Sequence, residues 1–152
     1  MSPDHATEQT DVGLKLSAPE LWQLSFTRNE LSEEFTTEFP PIVFGLGLNR
    51  ISPTSLGVEL SLELNDFKPL SLRVTYRAVF EIADDKSPAE IEQQLRFVAA
   101  QIAPTVLYPF IRETVLTTAL KAGLPPVLPP IVNFRSVFDP AQVTLPEFVV
   151  PA

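Results

Sequence analysis

Apolar and polar residues alternate with period two through the first half of the chain and change to a helical period near residue 87. Successive side chains on a strand point to opposite faces, so alternation marks a sheet with one buried face and one wet face. The clearest run is residues 58–64, where Val58, Leu60, Leu62 and Leu64 interleave with Glu59, Ser61 and Glu63. The next run, residues 70–82, sets Leu70, Leu72, Val74, Tyr76, Ala78, Phe80 and Ile82 against Ser71, Arg73, Thr75, Arg77 and Glu81. The polar turn Asn65-Asp66 between them predicts a hairpin. Upstream, Ile42, Phe44, Leu46 and Leu48 alternate with Val43, Gly45, Gly47 and Asn49, giving a strand that ends at the turn signal Ser52-Pro53-Thr54. A first strand lies within residues 21–35. Its apolar positions switch parity between Phe26 and Leu31, which predicts a bulge or bend near Asn29, and Pro40-Pro41 ends it.

After residue 87 the spacing is helical. Ser87-Pro88-Ala89-Glu90 supplies an N-cap, a proline at the first helical position and a glutamate three residues after the cap; Ile91, Leu95, Val98 and Ile102 then recur on one face. Pro104 predicts a break, and Leu107, Ile111 and Val115 place a second helix over residues 105–122, stopped by Gly123 and Pro125-Pro126. Pro109 falls in the opening turns of that helix, where N–H groups lack partners, and reads as a start. Next comes LPPVLPPIVNF, held extended by its prolines and barred from a sheet ladder, with Leu124, Val127, Leu128, Ile131 and Val132 in need of an apolar surface. A short helical turn, FRSVF, and a proline-containing tail follow. The fold class is therefore α+β, with a four-stranded antiparallel sheet packed against two helices, a proline-rich loop and a short C-terminal helix. Residues 1–13 read as a disordered tail, 14–138 as one domain and 139–152 as a C-terminal tail.

Composition narrows the chemistry. The chain has 152 residues, enough for one domain with a real core. Its formal net charge is −8 and its 11 Lys and Arg residues are scattered, so nucleic acid is a poor partner. It contains no cysteine, which removes disulfide and thiolate chemistry and suits a reducing compartment. The polar N-terminus MSPDHATEQTDVG is neither a signal peptide nor an anchor, and no segment approaches the roughly 18 apolar residues of a spanning helix. A cytoplasmic protein with no membrane insertion is expected. The only histidine, His5, sits in the tail, so a catalytic triad has no positioned base and a zinc site lacks ligands. Gly45 and Gly47 lack the lysine of a phosphate loop and read as close packing. The pairs Glu33-Glu34 and Asp84-Asp85 read as solvated acids, and Arg112-Glu113 as two charges on the wet side of a helix rather than an interface ion pair. No enzyme activity, metal or cofactor is expected.

One block is distinctive. Leu107, Tyr108, Pro109, Phe110, Arg112 and Glu113, followed by Gly123, Pro125 and Val132-Asn133-Phe134, resemble the corresponding block of SecB, the bacterial export chaperone family, without a gap from Pro104 to Phe134. The strand count and order agree as well. The resemblance implies an ATP-independent holdase that binds unfolded or aggregation-prone polypeptides, including preproteins for export, and assembles as a homotetramer, a dimer of dimers. It implies client-binding residues Phe35, Phe39, Ile42, Phe44, Phe110, Leu124, Val127, Leu128, Ile131 and Phe134. It also implies an acidic face for the translocase motor SecA, for which Glu30 and Glu34 remain, joined by Glu59 and Glu63. The chain departs from the family in a shortened connection at residues 36–41, in the tail LPEFVVPA, and in Arg73 where an acid is expected. Weak or absent SecA binding follows, with a general role or one dedicated to a single partner. The alternative is a structural or adaptor subunit whose apolar loop is an oligomer interface.

Overall fold

The computed structural model describes residues 13–29, 39, 41–65 and 70–148. The expected N-terminal tail with His5, and Glu30, Leu31, Glu33, Glu34 and Phe35, lie outside the described residues.

Among the described residues five strands form one antiparallel sheet: β1 (Leu14–Leu16), β2 (Glu20–Arg28), β3 (Val43–Ser52), β4 (Ser55–Leu64) and β5 (Leu70–Ile82). The order runs β3, β4, β5, and both β1 and β2 pair with the remaining edge of β5. Together β1 and β2 act as one strand interrupted at Ser17-Ala18-Pro19. Ser17 keeps the ladder alive across the gap: its N–H donates to the Val79 carbonyl at 2.9 Å, and its hydroxyl accepts from the Val79 N–H at 2.8 Å. A bulge lies at Trp22, where pairing passes from Leu21↔Tyr76 to Gln23↔Thr75. The strand ends at Arg28, and Leu31 and Phe35, on which the expected bulge or bend near Asn29 rests, lie outside the described residues.

The register puts the even-numbered residues of β3, β4 and β5 on the core face. In β4, the central strand of the covered region, Leu56, Val58, Leu60, Leu62 and Leu64 are all fully buried. Burying a leucine-sized side chain contributes about 1.5 to 3 kcal/mol, so this strand anchors the core.

Over that face lies one helical path, α1 (Pro88–Phe97), a π-helical turn (Val98–Ile102) and α2 (Ala103–Lys121). Ser87 caps α1, its hydroxyl accepting from the Glu90 N–H at 3.3 Å. The break expected at Pro104 does not occur. In the π turn the Ala103 N–H reaches back five residues to the Val98 carbonyl, and Pro104 sits in the opening turn of α2. The wide turn absorbs a missing donor that an α-helical ladder would register as a gap. Nor does Pro109 mark a start, because it lies inside α2. An interior proline costs about 3 kcal/mol. Here the residue that carries its orphaned acceptor, Thr105, is exposed, while Leu107, Ile111, Val115 and Ala119 bury the opposite face.

The helix stops as expected. Gly123 has φ +77°, its N–H donates to the Leu120 carbonyl at 3.0 Å, and the Leu124 N–H donates to the Ala119 carbonyl at 3.0 Å, a Schellman motif. The Arg28 guanidinium from the end of β2 hydrogen-bonds the Ala122 carbonyl, placing a cation at the negative end of the helix. The short C-terminal helix is a turn at residues 134–137, then a 3-10 turn, Pro140–Gln142, whose Ala141 N–H donates to Asp139 at 3.0 Å. Because the left-handed conformation costs a non-glycine residue about 1 to 2 kcal/mol, Gly123→Ala is expected to lower stability by that amount without changing the fold, measured by urea denaturation.

Candidate functional site

Tyr108 and Arg112 are four residues apart on α2 and so share one face. The Tyr108 hydroxyl donates to the Pro130 carbonyl at 2.6 Å, and Arg112 Nε donates to the Pro129 carbonyl at 2.9 Å. Residues 124–134 form no regular element, and their four prolines supply no N–H groups. Two side chains of α2 therefore hold the loop by its carbonyls. The reading of Arg112 as a charge on the wet side of the helix is corrected accordingly: it is half-buried and bonded to the loop.

So clamped, the loop sorts its side chains. Leu124, Val127 and Phe134 are buried, whereas Leu128 is 50% exposed and Ile131 is 88% exposed. Phe134 meets Phe44 of β3 edge-on at 5.3 Å and Tyr108 at 5.3 Å, Phe44 meets Tyr108 at 5.6 Å, and Phe138 stacks on Phe134 at 6.2 Å. Such arrangements add about 0.5 to 1.5 kcal/mol per pair beyond burial. Beyond this aromatic cluster a cleft of about 310 Å³ opens between Leu46 and Leu48 of β3 and a mixed wall of Val137, Phe138, Asp139, Gln142, Val143 and Thr144. Burial pushes the Tyr108 phenol up from 10.0 to about 12, against the opposing pull of the Arg112 guanidinium. It stays a neutral donor to the loop across the physiological range.

The sequence-derived client residues fall into separate places. Phe44 and Phe134 come together, with Leu128 and Ile131 exposed on the same loop. Leu124 and Val127 are anchors of that loop, and Phe39 and Ile42 are half-buried against the core. Phe110 does not join the cluster: it packs on Tyr76 of β5 at 5.9 Å, and Tyr76 hydrogen-bonds Thr114 at 2.5 Å. Leu21 and Leu24 on β2 and Leu120 on α2 are exposed as well. Tyr108 and Phe138 were missed as members of the cluster. The i, i+4 spacing of Tyr108 and Arg112 carried a signal for one shared contact, whereas Phe138 carried none.

On the outer face, Arg73 is exposed and lies opposite Glu63, while Arg77 lies opposite Glu59. The Arg77 guanidinium sits 3.6 Å above the Trp22 ring. Among the described residues no group of three or more His, Cys, Asp or Glu side chains is placed to hold a metal ion, and no helix is long and apolar enough to cross a membrane.

A family described as preprotein translocase subunit SecB matches residues 23–144. The chain belongs to the SecB family. Among its relatives, the protein-export protein SecB of Ehrlichia chaffeensis is 32% identical over 96 residues, covering 60% of this chain and 55% of that protein. SecB of Neisseria meningitidis is 33% identical over 86 residues, covering 56% and 55% respectively. The chain thus spans about half the length of the curated relatives it matches. Among solved structures, the Mycobacterium tuberculosis SecB-like chaperone Rv1957, in complex with a ChAD peptide from the HigA1 antitoxin, matches 87% of this chain and all of its own, with a TM-score of 0.65 at 18% identity. The SecB fold is therefore present, with the helical path continuous through its π turn.

Removing the phenol leaves the Pro130 carbonyl to water, so Tyr108→Phe is expected to cost about 1 kcal/mol near neutral pH. The raised phenol also fixes a pH dependence. Above pH 10 the unfolded chain releases this proton while the folded chain keeps it until about pH 12, so its contribution is full below pH 10 and is lost as pH rises to 12. The stability advantage of the wild type over Tyr108→Phe should shrink across that window, as read by denaturant titration at stepped pH.

Proposed function

We propose that the chain is an ATP-independent holdase that binds unfolded or aggregation-prone polypeptides in the cytoplasm. The observation that carries the reading is the clamped proline loop, which presents Leu128 and Ile131 outside the core. Such side chains have no folded-state reason to be held in water, and each one covered by a client contributes about 1.5 to 3 kcal/mol. One loop then gives weak, sequence-tolerant binding, and several loops on one assembly give avidity. The peptide held by the Mycobacterium tuberculosis relative supports a polypeptide as ligand.

A homotetramer, built as a dimer of dimers, supplies the several loops. Its best-suited surface is the flank away from the aromatic cluster, where Leu16, Leu21, Leu24 and Leu120 are 42 to 48% exposed and Phe110 is 39% exposed. SecA contact is weak in this reading, because Arg73 and Arg77 stand directly across from Glu63 and Glu59 and offset the charge that a basic partner would meet. Export of preproteins is then one use of the holdase, and protection of a single dedicated partner is another.

Stoichiometric protein should suppress the light scattering of a chemically denatured model client, and Leu128→Asp with Ile131→Asp should lose most of that suppression while keeping the wild-type melting transition. Full scattering in the presence of the wild type would leave the adaptor-subunit reading in its place. Separately, sedimentation equilibrium at micromolar concentration should give a tetramer; a stable monomer would remove the avidity argument.

A further inference from the structure

After the proline loop the chain follows the core face of β3. Phe134 meets Phe44, Val137, Phe138 and Val143 stand across the cleft from Leu46 and Leu48, and the Pro146 carbonyl accepts from Arg50 Nη1. The contacts advance along both segments in the same direction.

The two halves of this path are held very differently. Residues 134–143 are stapled by their own turns: the Phe138 N–H donates to the Phe134 carbonyl at 3.1 Å, the Gln142 N–H to the Asp139 carbonyl at 3.0 Å and the Val143 N–H to the Pro140 carbonyl at 3.2 Å. The 3-10 turn among them also packs against α1 and the π turn. Beyond Val143 the stapling stops. Among the described residues no backbone hydrogen bond reaches residues 144–148. The bond from Arg50 is 3.5 Å long, outside the usual range for an N–H donor. The other bonds of Arg50, to Glu92 at 2.8 Å and to the Pro53 carbonyl at 2.6 Å, do not depend on the segment. Val143 and Leu145 are only half-buried against the core, and Thr144, Glu147 and Phe148 are exposed. A segment with few buried contacts and an unpaired backbone opens at little cost.

Its chemistry is that of a client. The sequence VTLPEF is apolar at Val143, Leu145, Pro146 and Phe148 and carries one charge, Glu147. Its first residue has an extended backbone, φ −75° and ψ 124°. The tether presents it to the adjoining surface at an effective concentration of about millimolar, far above that of a dilute client.

We propose, building on the client-binding reading, that residues 143–148 are a built-in competitor for the client surface. They cover Leu46 and Leu48 in the empty protein and peel away, with Val143 as the hinge, when a client binds. The cover holds the affinity of the free protein below that of its bare surface, and it keeps apolar area out of water between clients.

The test uses the full chain and a permanently unfolded client, reduced and carboxymethylated lactalbumin labelled with fluorescein. Leu145→Ser loosens the segment without shortening it and should bind this client at least about fivefold more tightly than the wild type, because the covered state loses population. The chain has no cysteine, so Leu145→Cys carries a single thiol whose alkylation by N-ethylmaleimide reports release. Alkylation should speed up as the client saturates the protein. If Leu145→Ser binds no more tightly, if saturating client leaves alkylation unchanged or slows it, or if Leu145→Ser loses the folded melting transition, the segment is a structural strap and the proposal is overturned. Any of these results alongside client binding by the wild type leaves the holdase reading standing, whereas folded wild type that binds no client rejects that reading as well.

Discussion

A proline-rich segment cannot hold itself in place, because it has carbonyls and few N–H groups. Residues 124–134 are such a segment, and two donors from α2, the Tyr108 hydroxyl and Arg112 Nε, meet the carbonyls of Pro130 and Pro129. The rest of the candidate site depends on that pair of bonds. They set which side chains face in, and so convert an apolar run that would otherwise collapse into two anchors, Leu124 and Val127, and two presented residues, Leu128 and Ile131. Tyr108 contributes twice, since its ring also belongs to the edge-on cluster with Phe44 and Phe134. The clamp thus ties the loop to the helix and to β3 through one side chain.

The strands were legible because period two is a direct geometric consequence of the extended chain, and a face buried as fully as that of β4 leaves no ambiguity of register. The two prolines of the helical path were misread for a physical reason. Local propensity prices the missing N–H of Pro104 and of Pro109 but says nothing of what the other face gains by continuing. With Leu95, Ala99, Ala103, Leu107, Ile111, Val115 and Ala119 all buried, tertiary packing outweighs about 3 kcal/mol at one interior proline. The π turn resolves the conflict at Pro104, and no residue pattern announces a π turn. The division of the loop into buried and presented residues was equally illegible, because it depends on donors that lie 17 and 22 residues away.

Arg50 shows a related limit. In the sequence it is one more charge at a strand end, whereas in the fold its side chain is 6% exposed and joins the β3–β4 turn, α1 and the C-terminal segment. Its carboxylate partner Glu92 is 42% exposed, so the ion pair itself adds little net stability. Its role is therefore geometric: it fixes where the C-terminal segment crosses beside β3, and it withdraws the one cation that would have protected that edge.

Exposed apolar surface and solubility pull against each other in such a protein. The chain holds Leu128 and Ile131 of the proline loop in water, and with them Leu16, Leu21 and Leu24 of β1 and β2 and Leu120 and Phe110 of α2. Tyr108 and Phe110 flank Pro109 and reach opposite neighbours, Phe44 of β3 and Tyr76 of β5. One helix turn thereby serves two surfaces without merging them into a single large patch of the kind that aggregates. The excess of acids over bases, 19 against 11, adds long-range repulsion between copies. That repulsion is weak enough for a shaped apolar interface to overcome and general enough to oppose unshaped contacts, so the same composition that leaves sticky surfaces in water keeps them from meeting at random.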